Sequence, residues 1–368
     1  MYTENDIVRV AKRENNTKRA YLVVNRLQAK HVPVQPGRAI ALFDRLAGVV
    51  EQAYGVEPLL LIGFAETATA IGARLAIRLN SYYMQTTRET EAGAACIYFE
   101  ESHSHATEQK LFRDDLEQMA GRVRRIVFVE DEVTTGNTIM KIVRIIREKY
   151  RGCFSFSVAS LLNGMDEEAL AAYRREGIAV HYVVKTDHAS YSDRAAAFAG
   201  DGCFHKQGTG HTGVSCLERE LPGYVNARHL VKGSVYEAAC ERLWEQIYAH
   251  ISCEKKKIAV LGTEEFMYPA IDIAYRLEQK GNEVWCHSTT RSPIVVSREE
   301  EYPLHERYEL VSFYESSRRT YIYDLKKYDM AVVLTDAGRG SRKAEQTLLH
   351  ALCQCGTTDV VLYRWCNP

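Results

Sequence analysis

The sequence predicts an α/β fold in which parallel sheets are covered by helices. Short apolar, β-branched runs alternate with segments of helical period, which is the pattern of βαβ units. This alternation occurs in two series, separated by a glycine-rich stretch after about residue 187. Since 368 residues exceed one ordinary core, we divide the chain into a larger domain, 1–220, and a smaller α/β domain, 221–368.

The elements of the first series follow from their periodicity and from capping residues. They are strands at 20–27, 59–64, 124–131, 154–162 and 178–184, and helices at 39–53, 69–79, 108–120, 137–149 and from Asp166 onward. The second series is predicted as strands at 256–263, 283–288, 330–336 and 359–365, and helices at 234–251, up to Lys280 and at 341–353. Residues 85–108 are polar and without period, which is typical of a disordered segment or a functional lid.

Residues 127–138, VFVEDEVTTGNT, contain the most informative motif. A helix N-terminus at 135–138 offers unpaired backbone N–H groups and a favourable dipole to an anion, and Gly136 allows close approach. Glu130 and Asp131, just before this loop, can accept hydrogen bonds from a vicinal diol. The combination indicates a ribose 5-phosphate site. The alternative is an acidic strand end followed by an ordinary Thr or Asn helix cap.

The motif closely resembles the phosphoribosyl-diphosphate (PRPP) motif of type I phosphoribosyltransferases. In that motif four hydrophobic residues precede two acids, two variable positions and a Thr-Thr-Gly-x-Thr loop. The resemblance implies that Glu130 and Asp131 hold the ribose hydroxyls. It also implies that the 5-phosphate is held by the loop residues Thr134, Thr135, Gly136, Asn137 and Thr138.

Two further parts of that fold are expected from the resemblance. The pyrophosphate loop should follow an early strand, where this chain has Ala65, Glu66 and Thr67. An N-terminal helix cap is an equally good interpretation of Glu66 and Thr67. The catalytic lid should be residues 85–108, in which Arg88, His103 and His105 could neutralise leaving pyrophosphate and exclude water. The alternative is a solvated loop with incidental charges.

Segments outside the motif resemble the orotate-phosphoribosyltransferase-like proteins of tellurite-resistance gene neighbourhoods, which carry a C-terminal TRSP domain. The resemblance is strongest at residues 130–138 and at Thr290-Arg291-Ser292-Pro293. It implies a type I phosphoribosyltransferase fold followed by a smaller Rossmann-like α/β domain. Lys30 and His31 are interpreted as phosphate ligands or as solvated surface.

Loops after three strands of the second series should meet at one sheet edge. They contain Glu264, Glu265, Thr290, Arg291 and Asp336, which we interpret as a ligand site with acids for hydroxyls or a metal and Arg291 for an anion. The alternative is a structural or oligomerisation domain with polar caps and turns. Cys203, His205, His211 and Cys216 have no recognised zinc spacing and could equally lie in a flexible loop.

Composition limits the possible partners. A formal net charge of −1 gives no general attraction to nucleic acid or to an anionic membrane, and no apolar stretch could span a bilayer. Ten scattered cysteines suggest reduced thiols in a cytoplasm. We therefore expect a cytoplasmic, Mg-dependent phosphoribosyltransferase that binds PRPP or ribose 5-phosphate and an unidentified acceptor base. Few direct protein ligands to the metal and a possible homodimer are expected, and the alternative is a non-catalytic PRPP-binding or nucleotide-binding regulator.

Overall fold

The computed structural model describes residues 2–14, 19–99, 109–208, 213–251, 254–340 and 342–367. Its strands are β1 Val8–Lys12, β2 Tyr21–Asn25, β3 Leu59–Gly63, β4 Tyr82–Gln85, β5 Cys96–Phe99, β6 Gln109–Phe112, β7 Arg125–Val133, β8 Ser155–Asn163, β9 Ala179–Lys185, β10 Cys203–His205, β11 Ser215–Glu220, β12 Val231–Lys232, β13 Lys257–Gly262, β14 Glu283–Ser288, β15 Glu306–Val311, β16 Arg319–Tyr323, β17 Met330–Thr335 and β18 Asp359–Arg364. Its helices are α1 Glu4–Ile7, α2 Pro36–Tyr54, α3 Thr69–Arg78, α4 Arg113–Met119, α5 Asn137–Lys149, α6 Glu167–Arg175, α7 Tyr191–Ala197, α8 Gly233–Tyr248, α9 Tyr268–Gln279 and α10 Arg342–Gln354.

The chain forms two compact units that are not contiguous in sequence. The first contains Met1–Glu4, Ala41–Asp187 and Val225–Ala238. The second contains Asn5–Ile40, His188–Tyr224 and Ala239–Pro368. Segments 5–40 and 188–220, placed in the first domain from the sequence, therefore pack with the C-terminal residues. A domain division at residue 220 stays a prediction.

The first unit is built on a six-stranded sheet in the order β12-β4-β3-β7-β8-β9. All neighbouring pairs are parallel except β12 with β4. Every residue of β3 is buried, and its four apolar side chains contribute roughly 1.5–3 kcal/mol each. The helix α5 buries Ile139, Ile142, Val143 and Ile146, which recur at helical spacing.

The strand order of this sheet reverses at β3. The chain passes from β3 to β4 on one side and then returns to β7 on the other side of β3. In open parallel sheets, the crevice at the carboxyl ends of the two strands flanking such a reversal is where ligands bind. This topology therefore places the loops after β3 and β7 at the position expected for a binding site.

The helix predicted over 108–120 is wrong at its beginning. Gln109–Phe112 instead forms β6, which pairs antiparallel with β5, and the helix α4 begins at Arg113. Antiparallel pairing with the preceding strand has overridden the local helical pattern here. Residues 100–108 lie outside the described residues.

The second unit contains a five-stranded parallel sheet in the order β11-β18-β17-β13-β14. Its order reverses between β13 and β17. A smaller sheet, β10-β15-β16, and the antiparallel pair β1-β2 belong to the same unit. Buried apolar residues from β13, β15, β17, β18 and α10 form one core cluster. Parallel sheets flanked by helices occur in both units, so the predicted fold class is confirmed.

None of the described helices combines the length and the apolar character needed to cross a membrane.

Candidate functional site

The acid pair lies at the end of β7, where a run of buried apolar residues gives way to half-buried Glu130, Asp131 and Glu132. The chain then forms the loop 134–136 before α5 begins at Asn137. Thr135 and Asn137 are exposed, and the Asn137 N–H donates to Thr135 Oγ1 at 3.4 Å. Hydroxyl groups and the first backbone N–H groups of α5 thus come shortly after these carboxylates in the chain.

Gly136 is required by the geometry of this loop. Its φ of 71° lies in the left-handed region, which disfavours residues with a Cβ atom. The carbonyl of Gly136 accepts a hydrogen bond from the hydroxyl of Tyr173 at 2.6 Å. A Cβ atom at position 136 would overlap that hydroxyl. Burial, with a smaller contribution from the charge of Glu130, raises the pKa of Tyr173, so this phenol remains a donor.

The loop after β3 reaches the acid pair. Thr67 Oγ1 donates to Asp131 Oδ1 at 2.7 Å. Ala65 and Glu66 are both buried, and the peptide bond between them is cis. The structure therefore brings together Thr67 and Asp131, which the sequence interpretation had assigned to separate pyrophosphate and ribose contacts.

The predicted lid residues are only partly described. Arg88 is half-buried and follows Thr87, whose backbone N–H and carbonyl both bond the backbone of Lys110 at 3.0 Å. This contact connects the segment after β4 to β6. His103 and His105 lie outside the described residues, so their catalytic assignment stays a prediction.

The second-unit residues form a dense ion-pair network at the carboxyl ends of β13 and β14. Arg291 Nε is 2.7 Å from Glu264 Oε2, and Arg291 Nη2 is 3.3 Å from Glu265 Oε1. Arg318 Nη1 also contacts Glu264 Oε2, at 2.9 Å. The side chains of Glu264 and Glu265 are at most 1% exposed. Arg291, which the sequence had suggested as an anion ligand, thus neutralises buried carboxylates in this structure.

Asp336 follows β17, on the other side of the reversal in this sheet. It accepts hydrogen bonds from the hydroxyls of Tyr314 and Tyr224, the latter at 2.8 Å. The Tyr314 hydroxyl is also 2.9 Å from Thr263 Oγ1, on the loop after β13. The backbone of Thr290 forms two hydrogen bonds with the backbone of Tyr321, at 2.7 and 2.8 Å.

Lys30 is not solvated surface, and its interpretation as a phosphate ligand stays a prediction. It is fully buried in the second unit, where its Nζ donates to the carbonyls of Glu264 at 2.7 Å and Thr289 at 2.9 Å. His31 is also buried. A lysine can be recognised in a sequence, but nothing local in the sequence shows that two distant loops enclose it.

Sequence reasoning missed Tyr173 and Arg318. Tyr173 is one aromatic residue on a helix, and only its contact with Gly136 shows its function in the loop. Arg318 belongs to a segment without a recognised motif.

Oxygen ligands of the kind that Mg²⁺ prefers are present at the first site. Glu130, Asp131 and the neighbouring hydroxyls supply such atoms. Among the described residues, no group of three or more His, Cys, Asp and Glu side chains could enclose a metal ion. Cys203 Sγ is 3.2 Å from His205 Nε2, whereas Cys216 lies on β11 of another sheet and His211 lies outside the described residues.

Solved structures similar to this chain include two adenine phosphoribosyltransferases and an orotate phosphoribosyltransferase. The enzyme from Rhodothermus marinus has 14% identity and a TM-score of 0.35, with 50% of this chain and 96% of that chain covered. The enzyme from Trypanosoma brucei, in complex with AMP, pyrophosphate and ribose-5-phosphate, has 13% identity, a TM-score of 0.34 and coverages of 49% and 77%. The orotate enzyme from Aeropyrum pernix has 18% identity, a TM-score of 0.32 and coverages of 51% and 92%.

Family models give the assignment. No curated protein matches the sequence. The model of the phosphoribosyl transferase family PRTase_2 matches residues 7–191, which is half of the chain. The model of the TRSP domain, which lies C-terminal to PRTase_2, matches residues 227–352. The chain therefore belongs to the PRTase_2 phosphoribosyl transferase family and carries that family's C-terminal TRSP domain.

Proposed function

We propose that this protein is a Mg-dependent phosphoribosyltransferase that uses PRPP, or forms it in the reverse reaction, with a base or base-like acceptor. The reaction would serve the synthesis of a nucleoside-like metabolite, in the setting of tellurite resistance that the sequence resemblance implies. The observation that carries the proposal is the contact between Thr67 and Asp131, which joins the loops after β3 and β7 at the reversal of the sheet.

Each loop has its own part in binding PRPP. Residues 134–138 bind the 5-phosphate through hydroxyls and the N-terminal N–H groups of α5. Glu130 and Asp131 accept hydrogen bonds from the ribose hydroxyls. Residues 65–67 bind the pyrophosphate group. With these contacts the substrate is oriented for displacement at the anomeric carbon, and no covalent nucleophile is needed.

Charge stabilisation of the leaving group completes the mechanism. Mg²⁺ would neutralise charge on the pyrophosphate oxygens, with Glu130 and Asp131 as the nearby protein carboxylates. Arg88, with His103 and His105, would add positive charge and exclude water at the anomeric carbon.

For the second unit we propose a ligand site at its sheet reversal, in the loops that carry Glu265, Thr290, Arg291 and Asp336. Its supporting observation is the concentration of polar side chains from the loops after β13, β14 and β17. An acceptor with hydroxyl groups and an anionic group matches this mixture of carboxylates, phenols and guanidinium groups. We also propose a cytoplasmic location, since the described cysteines are free thiols.

One experiment separates catalysis from regulation. The protein is incubated with PRPP, Mg²⁺ and a panel of candidate bases, and pyrophosphate release is followed while PRPP binding is measured by calorimetry. An enzyme releases pyrophosphate with at least one base. Binding of PRPP without release, across purine, pyrimidine and pyridine bases, would instead establish the regulatory alternative. Absence of PRPP binding would contradict both the enzyme and a PRPP-binding regulator.

A further inference from the structure

Thr86 and Gln109 hold the loop after β3 through the backbone of one residue. The N–H of Ala65 donates to Thr86 Oγ1 at 2.7 Å, and the carbonyl of Ala65 accepts from Gln109 Nε2 at 2.8 Å. The Thr86 hydroxyl donates in turn to Gln109 Oε1. We call this closed ring of three hydrogen bonds the Thr86–Gln109 clasp. It satisfies both backbone polar groups of Ala65.

The clasp is inaccessible to solvent. Thr86 is 0%, Gln109 is 1% and Ala65 is 4% exposed. Water therefore cannot replace a missing partner, and a buried donor or acceptor left unmet is costly. Hydrogen bonds in such surroundings are also stronger than in water and reinforce one another. Removing the polar group of Thr86 or of Gln109 should therefore change the backbone conformation of Ala65.

The fixed backbone leads directly to the proposed pyrophosphate loop. Because the peptide unit is planar, orienting the carbonyl of Ala65 also orients the N–H of Glu66. The next residue, Thr67, donates to Asp131 at 2.7 Å. Residues 65–67 are thus held at one end by the clasp and at the other end by a carboxylate of the acid pair.

Three segments meet in this arrangement. Thr86 follows β4, Gln109 is the first residue of β6, and Ala65 follows β3 by two residues. The adjacent backbone contact between Thr87 and Lys110 keeps the β4 and β6 segments in register. The clasp therefore links the first residue of β6 to the loop after β3.

We propose that Thr86 and Gln109 are positioning residues, which hold residues 65–67 in the conformation that binds the pyrophosphate group of PRPP. This inference rests on the proposed function, and it accounts for polar residues in the QTTRE and ATEQ segments that the ribose 5-phosphate motif does not include. A general packing function would need only apolar volume at these positions. The side chains instead satisfy backbone groups in a loop that has no sheet or helix partners for them.

The test measures the binding of three ligands to four variants. Thr86→Val removes the hydroxyl at constant shape, and Gln109→Met removes the amide at similar length. Thr86→Ser keeps the hydroxyl and serves as the rescue. Thr87→Val is the matched control, because Thr87 is equally buried and its hydroxyl accepts from the Glu89 N–H at 3.0 Å rather than from the loop. Affinities for PRPP, pyrophosphate and ribose 5-phosphate, each with Mg²⁺, are measured by calorimetry on the full chain.

We expect Thr86→Val and Gln109→Met to weaken PRPP and pyrophosphate binding by about ten-fold or more, while ribose 5-phosphate affinity stays unchanged. Thr86→Ser and Thr87→Val should resemble the wild type for all three ligands. Exchange of the Ala65 amide proton, followed by NMR, should accelerate in Thr86→Val and not in Thr87→Val.

Other results would overturn the inference. An equal loss of affinity for all three ligands, together with a lowered unfolding temperature, would show that Thr86 and Gln109 only stabilise the fold. Unchanged pyrophosphate affinity in both variants would remove the inference and leave the proposed function intact. A wild type that binds neither PRPP nor ribose 5-phosphate would remove the proposed function and the inference with it.

Discussion

Thr67 donates a hydrogen bond of 2.7 Å to Asp131, a residue 64 positions later in the chain. The bond connects the loops after β3 and β7, the two strands at which the order of the first sheet reverses. The meeting of these loops brings a hydroxyl, a carboxylate pair and a helix N-terminus to one end of the sheet.

Asp131→Asn should weaken PRPP binding by about ten-fold or more, the effect of losing a hydrogen bond to a charged group, about 1.5–3 kcal/mol. The asparagine keeps one oxygen that can accept from Thr67, so the loop contact is retained while the charge is lost. Calorimetry gives the dissociation constant. Asp193→Asn, on the exposed surface, is the control, and equal affinities in both variants would count against the ribose assignment.

Gly136→Ala should destabilise the protein by about 2–5 kcal/mol. Roughly 1–2 kcal/mol comes from a Cβ atom in the left-handed region, and about 1–3 kcal/mol from overlap with Tyr173. Urea unfolding measures the change. Gly152→Ala is the matched control, because its φ of 74° is similar and no atom lies within 4 Å of its added Cβ. A Gly136→Ala variant no less stable than Gly152→Ala would show that Tyr173 does not restrict the loop.

Arg291→Ala should cost about 3 kcal/mol of unfolding free energy, because it leaves the buried carboxylates of Glu264 and Glu265 with fewer partners. Arg291→Lys should recover only part of this loss, since an ammonium group lacks the planar fork. Arg339→Ala is the comparison, with a side chain 65% exposed and an expected cost below about 1 kcal/mol. PRPP affinity should be unaffected in either variant. Similar stabilities for Arg291→Ala and Arg339→Ala would show that the ion-pair network does not stabilise the fold.

His229 should make stability depend on pH. Its Nδ1 is 2.6 Å from Asp115 and its Nε2 is 3.1 Å from Glu91, and its ring stacks on Phe112. The hydrogen bond to Asp115, with a further one to Glu91, raises the pKa of His229 above its ordinary value of 6.5. The folded state then binds more protons than the unfolded state, so this stabilisation is complete below about pH 6.5 and lost as pH rises through the raised pKa.

The corresponding measurement compares wild type and His229→Gln by urea unfolding from about pH 6 to about pH 9. The stability difference should be largest at the acidic end and shrink towards the alkaline end. His250→Gln provides the comparison, because the His250 ring contacts a backbone carbonyl instead of two carboxylates. A difference that grows with pH would have the wrong sign and would rule out the charged interaction.

The sequence predicted those features of the first unit that are encoded within short segments. The buried strands at 59–64 and 124–131 and the helix at 137–149 correspond to β3, β7 and α5. Their signals are local, because a buried strand needs only a run of apolar residues and an amphipathic helix only its period. The pairing of Gln109–Phe112 with Cys96–Phe99 was missed for the opposite reason, since partners on another strand outweighed the local helical pattern.

The amino-acid sequence alone thus determined the α/β class, the family and the adjacency of an acid pair to a hydroxyl-rich, glycine-containing loop. The tertiary structure decided that Thr67 donates a hydrogen bond to Asp131 and that Tyr173 donates one to the carbonyl of Gly136. It also decided that Arg291 forms ion pairs with two buried carboxylates. It also decided that Asn5–Ile40 packs in the second unit. The physical reason is that periodicity and capping act within a few residues, whereas these contacts depend on strand order and burial, which long-range packing sets.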